Sequence, residues 1–417
     1  MTLLIDILPL VCLLLCLGKH LKRGISTMTL TDEQRQFIRQ HQQTSVAALL
    51  LKYGKNREFE IRQIEARQKA QHKLPSWYAE ERLIFPPAVS VEQSSSETTG
   101  RYKAALVSGT LMDATGGMGI DVSFFAKNCT SVFYVEQKPE LVACARYNLD
   151  LLGLQNVHYL QGNSLEILPK LDTVFDWIYL DPARRSADNR RVVGLRDCEP
   201  DVVTYLPLLL QKAKRLLIKA SPLLDLKQTL LDLPQLSVIH VVSVENECKE
   251  LLFEIASEAQ PMASPTVRTI NFKSDETIQQ FDFEWNSETS LAVTLSEPQT
   301  YLYEPNASVL KAGAFKSVAK AYGVEKIAPH SHLYTSATLV EHFPGRIFQV
   351  EAVVKVDAKA LAPYLPEGKA NLTVRNFPLS TDELRKKFKV KEGGSTYIFA
   401  TTLANGDKRL LVCKKPI

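Results

Sequence analysis

The chain of 417 residues is 45% hydrophobic and 23% charged, an ordinary globular composition that excludes a wholly disordered, collagenous or coiled-coil protein. Fifty basic residues against 46 acidic ones leave a net charge of +4, too mild to demand or to exclude a nucleic-acid partner. Seven dispersed cysteines (Cys12, Cys16, Cys129, Cys144, Cys198, Cys248, Cys413) with no CxxC pair argue against a disulfide framework or a structural zinc site, and fit a reducing cytoplasm.

The apolar run at 7–18 is shorter than the roughly 20 residues of a membrane span. Asp6 precedes it and no small-x-small pattern follows, so it fails as a signal peptide. Met28 opens a better start: Thr31 with Gln34 three residues on is a helix-capping pair. Residues 1–27 are expected to be a mis-called start or a leader, with a weak anchor as the rival reading; no stable membrane association is expected. Residues 28–91 form a helical region, ended by Pro75, Pro86 and Pro87.

From 92 to 260 short apolar runs alternate with helical stretches. Strands are expected at 110–114, 131–136, 156–161, 175–180, 214–219, 237–244 and 250–256, the rhythm of an α/β chain with a wound parallel sheet. The short Glu245-Asn246-Glu247 link permits only an antiparallel last pair. After about 260 the pattern becomes α+β, with strands at 267–272, 280–285, 290–295, 347–356, 370–375, 396–403 and 409–413 and helices at 306–322 and 380–388. Residues 261–339 are expected to form a small linker domain and 340–417 a C-terminal domain.

The informative stretch is Asp113-Ala114-Thr115-Gly116-Gly117-Met118-Gly119, an apolar strand ending in an acid, a glycine turn and a helix start. Gly117 and Gly119 let a ligand approach the backbone. Glu136 ends the next strand 23 residues after Asp113, a spacing that suits a ribose diol. Gly162-Asn163-Ser164 follows the third strand, where an adenine edge is readable, though Asn163 and Ser164 equally suit a helix cap. Asp181-Pro182-Ala183-Arg184-Arg185 ends the fourth. All four features fall at strand C-termini, where open α/β sheets bind ligands. The turn lacks full GxGxxG spacing, which points to S-adenosyl-L-methionine rather than a dinucleotide.

Residues 109–256 resemble a class I S-adenosylmethionine-dependent methyltransferase, a Rossmann-like sheet with an antiparallel last strand. Asp113, Thr115, Gly117, Gly119, Glu136, Asn163 and Ser164 then hold the cofactor. The chain from about 30 to 415 is similar to bacterial methyltransferases with a THUMP-like C-terminal domain, through EQSSSETTGRYK (92–103), DATGGMGID (113–121), LDPARR (180–185), EPNASVLKAG (304–313) and the 376–406 segment. The resemblance implies a ferredoxin-like 261–339, a THUMP-like 340–417 and an RNA partner, tRNA or rRNA.

Asp181 and Pro182 carry the chemistry expectation. A proline-stiffened carboxylate and a backbone carbonyl can accept the two hydrogens of an exocyclic amine and align its lone pair. The motif resembles the Asp/Asn-Pro-Pro-aromatic of amino-directed methyltransferases, but Ala183 and Arg184 replace its last two residues. Arg184 and Arg185 are candidate RNA contacts, by stacking or phosphate binding. Residues 340–417 hold 14 basic and 8 acidic residues, and Arg385, Lys386 and Lys387 concentrate that charge. Segment 92–103 either folds over the methionine end of the cofactor or is a capped polar loop. The rival functions are methylation of a small molecule or protein, and a non-catalytic RNA-binding adaptor. No metal is expected.

Overall fold

A computed structural model describes residues 29–184, 194–257 and 264–416. The expectations for residues 1–27 and for Arg185 lie outside the described residues. Contacts divide the chain into two units: one runs through Asp181 and adds Tyr205–Leu216, the other is Pro182–Thr204 with Leu217 onward.

The first unit opens with helices α1 (Asp32–His41), α2 (Val46–Tyr53), α3 (Glu58–Lys73), α4 (Pro75–Ala79), α5 (Ala88–Gln93) and α6 (Glu97–Leu106). The Thr31–Gln34 pair caps α1 reciprocally: Gln34 N donates to Thr31 Oγ1 at 3.2 Å and Thr31 N to Gln34 Oε1 at 3.0 Å. Ile38, Leu49, Ile61 and Ile64 recur at helical spacing and pack these helices together with Ile84 and Cys144.

Four strands follow, β1 (Gly109–Asp113), β2 (Cys129–Glu136), β3 (Val157–Gln161) and β4 (Phe175–Leu180), separated by α7 (Ile120–Asn128), α8 (Pro139–Leu151) and α9 (Ser164–Ile167). All pair in parallel, in the order β3-β2-β1-β4. Leu111, Met112, Val132, Tyr134, Ile178 and Tyr179 are almost fully buried, as strands covered on both faces require. The chain then forms β5 (Ala183–Arg184), β6 (Cys198–Glu199), α10 (Val202–Lys212) and β7 (Ala213–Ala220), crossing between the units.

The second unit continues with α11 (Leu226–Asp232), β8 (Leu236–Val244) and β9 (Glu247–Ala256). β8 and β9 are antiparallel, as the short link required. Glu245 and Asn246 both take positive φ (52° and 62°), the backbone of a two-residue hairpin turn. β10 (Thr266–Phe272) pairs parallel with β8, and β11 (Ile278–Glu284) pairs antiparallel with β10. The boundary expected at 260/261 is therefore not a sheet boundary, because 266–284 extends the β8–β9 sheet.

Beyond it lie α12 (Ser287–Ser290), β12 (Tyr301–Pro305), α13 (Ala307–Ala312), α14 (Ser317–Tyr322), β13 (Glu325–Lys326) and β14 (Tyr334–Ser336). Then come β15 (Gly345–Lys355), α15 (Ala358–Leu361), β16 (Asn371–Arg375), α16 (Thr381–Phe388), β17 (Tyr397–Thr402) and β18 (Lys408–Lys414). These strands form a second sheet in the order β13-β14-β12-β15-β18-β17-β16.

The strand expected at 290–295 is not formed. Ser287, Thr289 and Ser290 hydroxyls donate to nearby backbone carbonyls and wind α12, leaving only a bridge between Leu295 and Lys326. The helix expected over 306–322 breaks at Gly313, which takes φ +70°.

Among the described residues no helix is long and apolar enough to cross a membrane, and no group of three His, Cys, Asp or Glu could hold a metal. Cys129, Cys144, Cys248 and Cys413 are free thiols.

Candidate active site

The strand register sets the site. Asp113 lies opposite Tyr134 on β2 and Tyr179 on β4, and Glu136 lies opposite Gln161 on β3. The acids at 113, 136 and 181 and the Gly162-Asn163 turn thus fall at one edge of the parallel sheet, all inside the first unit.

The glycine turn is bonded to both neighbouring strands. Ala114 N donates to Tyr179 O at 3.0 Å and Gly116 N to Val135 O at 2.8 Å. A Cβ at Gly116 would overlap the Tyr134 ring, whose hydroxyl donates to Gly117 O at 2.6 Å. Gly117 takes φ +53° and its N–H donates to Glu136 Oε2 at 3.0 Å. Gly119, at φ +79°, starts α7. Both conformations favour residues without a Cβ.

Glu136 Oε1 accepts from Lys138 N at 2.9 Å, so each carboxylate oxygen is aimed by one backbone donor and keeps a lone pair for a hydroxyl. Gly162 N donates to Glu136 O at 2.9 Å, which ties the third turn to the second strand end. Asn163 caps α9 by accepting from Leu165 N at 2.9 Å. That cap uses the side-chain oxygen and not the amide nitrogen.

Asp113 is 2% exposed. Burial, followed by the nearby Asp121 and Asp181 carboxylates, holds its carboxyl well above the usual range, against the opposing pull of the Thr115 N–H. Thr115 N donates to Asp113 Oδ1 at 2.9 Å. The Thr115 hydroxyl also lies 3.4 Å from Asp113 Oδ1 and accepts from Asp181 N at 2.7 Å. One side chain therefore couples the first and fourth strand ends.

Sequence reasoning missed a buried cluster behind this turn. Lys103 is fully buried, donates to Ser95 Oγ at 2.9 Å and lies 3.4 Å from Asp121 Oδ1. Ser95 Oγ and Tyr179 OH donate to Asp121 Oδ2 at 2.9 and 2.8 Å. The available signal was helical spacing: Thr99, Gly100, Lys103 and Ala104 form the buried stripe of α6. Of the two readings of segment 92–103, the helix cap is the one that forms. Ser96 caps α6 by accepting from Thr99 N at 3.2 Å, while Ser95 and Lys103 grip the acid that starts α7.

Pro182 opens the second unit and Ala183–Arg184 pairs with Cys198–Glu199. The Arg184 side chain lies outside the described residues. On α16, Arg385 is engaged by Glu392 at 3.1 Å and Asp382 at 3.7 Å, whereas Lys386 and Lys387 are exposed.

The donor set fits a cationic nucleoside. A Cβ at Gly117 would meet nothing nearer than Thr115 O at 3.8 Å, so the turn has an open side. Around it stand Asp113, Asp181 and the aimed carboxylate of Glu136.

Comparison with known proteins adds the following. Residues 301–344 match a family model described as a ferredoxin-like domain, and residues 345–415 one described as THUMP domain-like. A crystal structure of a candidate methyltransferase from Porphyromonas gingivalis W83 is 34% identical, with a TM-score of 0.83 over 92% of this chain and 98% of that one. A Halalkalibacterium halodurans protein named an uncharacterized RNA methyltransferase is 30% identical over 100 residues, 23% of this chain and 22% of that protein. A similarly named Listeria monocytogenes protein is 31% identical over 109 residues, 25% and 24% of the two chains. The chain spans about a fifth to a quarter of the length of these curated relatives.

Proposed function

This chain belongs to the family of class I methyltransferases that carry a ferredoxin-like and a THUMP-like domain, and from that premise we propose that it is an S-adenosylmethionine-dependent RNA methyltransferase. The observation that carries the reading is the alignment of Asp113, Gly117, Glu136, Asn163 and Asp181 on four adjacent parallel strand ends.

Glu136 binds the ribose hydroxyls with carboxylate oxygens already oriented by Gly117 and Lys138 N–H groups. Asn163 and Ser164 meet the base edge, and the backbone from Thr115 to Gly119 lies against the nucleoside. Asp113, a buried carboxyl with a raised pKa, would stand at the base of that turn. S-adenosylmethionine, when bound, supplies a methyl group activated by its sulfonium.

The acceptor is an exocyclic amine of a base in tRNA or rRNA. Asp181 and the carbonyl it shares with Pro182 accept the two amine hydrogens, which turns the nitrogen lone pair toward the methyl group. Thr115 fixes the Asp181 backbone while this happens. Arg184 and Arg185 follow Asp181 in the sequence and are the proposed RNA contacts. The dispersed cysteines of the sequence, with no CxxC pair, support a reducing, cytoplasmic setting.

The test is transfer of labelled methyl from S-adenosylmethionine to total RNA from a strain lacking the gene, followed by nucleoside mass spectrometry. An N-methylated base is expected with the wild-type chain and none with Asp181→Ala. Equal labelling by both would remove Asp181 from the chemistry.

A further inference from the structure

The second sheet has two unlike faces. On one, Ile398, Ala400, Leu410 and Val412 pack with Leu384 of α16, the helix that carries Lys386 and Lys387. On the other, Phe348, Phe399, Leu411 and Cys413 pack with Ile327 and Leu333. Side chains alternate along a strand, so Arg346 shares the second face with Phe348, and Tyr397 shares it with Phe399.

That second face ends in its own group of cations. Glu304, 3% exposed, accepts from Arg346 Nε at 2.7 Å and from Arg375 Nη2 at 2.9 Å. Both arginine side chains stay partly open, at 39% and 35% exposure. Lys415 Nζ stands 5.0 Å from the Phe348 ring centre and 5.7 Å from that of Tyr397, and the Arg346 guanidinium lies 5.5 Å from the same Phe348 ring.

Charge is left over here. Among the described residues no carboxylate forms an ion pair with Lys415, and Arg375 Nε is buried without a hydrogen-bond partner. Arg346 and Arg375 share the one carboxylate of Glu304, and Lys415 stands over the Phe348 ring beside Arg346. Burial, then Arg346 and Lys273, holds the Lys415 ammonium below the usual lysine range. Helix α16 is different, because Asp382, Glu383 and Glu392 stand among its cations. Like charges gathered over aromatic rings suit a polyanion that also carries flat bases.

We propose that Lys415, Arg346 and Tyr397 form the surface on which the C-terminal domain grips single-stranded RNA. A phosphate sits between the Lys415 ammonium and the Arg346 guanidinium, and the adjoining base lies against Tyr397. Helix α16, on the opposite face, is secondary. This inference rests on the RNA reading above and gives it a specific surface.

The test measures binding of the full chain to a fluorescent oligouridylate of roughly 15 nucleotides across a salt series. Lys415→Glu is expected to weaken binding about tenfold and to lower the salt slope by about one. Tyr397→Leu is expected to weaken it about fivefold with the slope unchanged. The Lys386→Glu/Lys387→Glu pair is expected to lose less than Lys415→Glu. Wild-type affinity in both Lys415→Glu and Tyr397→Leu, or a larger loss from the helix pair, overturns the assignment while leaving an RNA enzyme intact. A wild-type chain that binds S-adenosylmethionine by calorimetry but no RNA overturns both. Competition by polyglutamate equal to that by oligouridylate would assign the face to an acidic protein and overturn the proposal.

Discussion

Thr115 and Asp181 are joined across neighbouring strand ends by a 2.7 Å hydrogen bond from the Asp181 amide to the threonine hydroxyl. The hydroxyl also touches Asp113, so the glycine turn and the Asp181 strand end share one anchor. Thr115→Val keeps the shape and removes the acceptor. It leaves the Asp181 N–H without this partner, at a stability cost of about 1–3 kcal/mol, read by urea unfolding. Because small misplacements of a reacting group are costly, kcat should fall about 10- to 100-fold. The dissociation constant for S-adenosylmethionine should change far less. Equal losses in both would show that Thr115 acts only in cofactor binding.

The raised pKa of Asp113 predicts that cofactor binding is linked to a proton. Burial raises its folded-state pKa, so the folded chain keeps this proton to a higher pH than the unfolded chain does. Its contribution to stability is full below the ordinary carboxylate range and is lost as pH rises through the folded value. Asp113→Asn should therefore gain on the wild type as pH rises toward neutrality, in unfolding measurements on the ligand-free chain. A bound sulfonium would pull the carboxyl pKa back down and release a proton. Calorimetry in buffers of different ionisation enthalpy should detect that release in the wild type and not in Asp113→Asn. Identical proton counts would place the titration elsewhere.

The wound sheet was legible because its signals are local. Asp113, Glu136, Gly162-Asn163 and Asp181 each end an apolar run, and parallel pairing brings strand ends together without further information. The Glu245–Asn246 hairpin was legible for the same reason, since chain length alone forces its direction. Lys103 was not. Its partners Ser95 and Asp121 lie 8 and 18 residues away, and only packing of α6 against α7 reveals that a lysine is buried. The C-terminal cations show the same limit. Arg385, Lys386 and Lys387 stand out in sequence because they are adjacent, whereas Arg346, Arg375 and Lys415 converge only after β12, β15 and β16 are in register. The β10–β11 pair was read as strands but given to the wrong side of a boundary, because pairing partners across intervening loops leave no local mark.

The buried Lys103–Asp121 pair should behave as a unit. Lys103 is fully buried and the Asp121 side chain is 11% exposed, so neither charge is well solvated. Lys103→Met removes the buried ammonium from beside the aspartate and should cost about 3–5 kcal/mol. Lys103→Met with Asp121→Asn should recover a large part of that loss, because the charge that Lys103 faced is removed with it. A double-mutant cycle by urea denaturation checks this. Additive single losses would mean that the two groups are independent.

Asp176 clips the far ends of β1 and β4, opposite the site. Thr110 N and Oγ1 donate to its Oδ2 at 2.8 and 2.9 Å, and Lys214 Nζ donates to its Oδ1 at 2.8 Å. Gly109 must lack a Cβ there, since one would overlap the Asp176 carboxylate. The Lys214 hydrogen bond first, and the Thr110 amide second, pull the Asp176 pKa down to about 2. For a lowered acid the sign is opposite to that of Asp113: the contribution is present above the ordinary value of 3.8 and is lost as pH falls toward 2. Asp176→Asn should be less stable than the wild type at pH 7, and the gap should close as pH falls from about 4 to about 2. The side chain is 35% exposed, so salt should narrow the gap at neutral pH as well. A gap that stays constant across the titration would mean that the clip works through neutral hydrogen bonds and that the Lys214 charge contributes nothing to the register of the two strands.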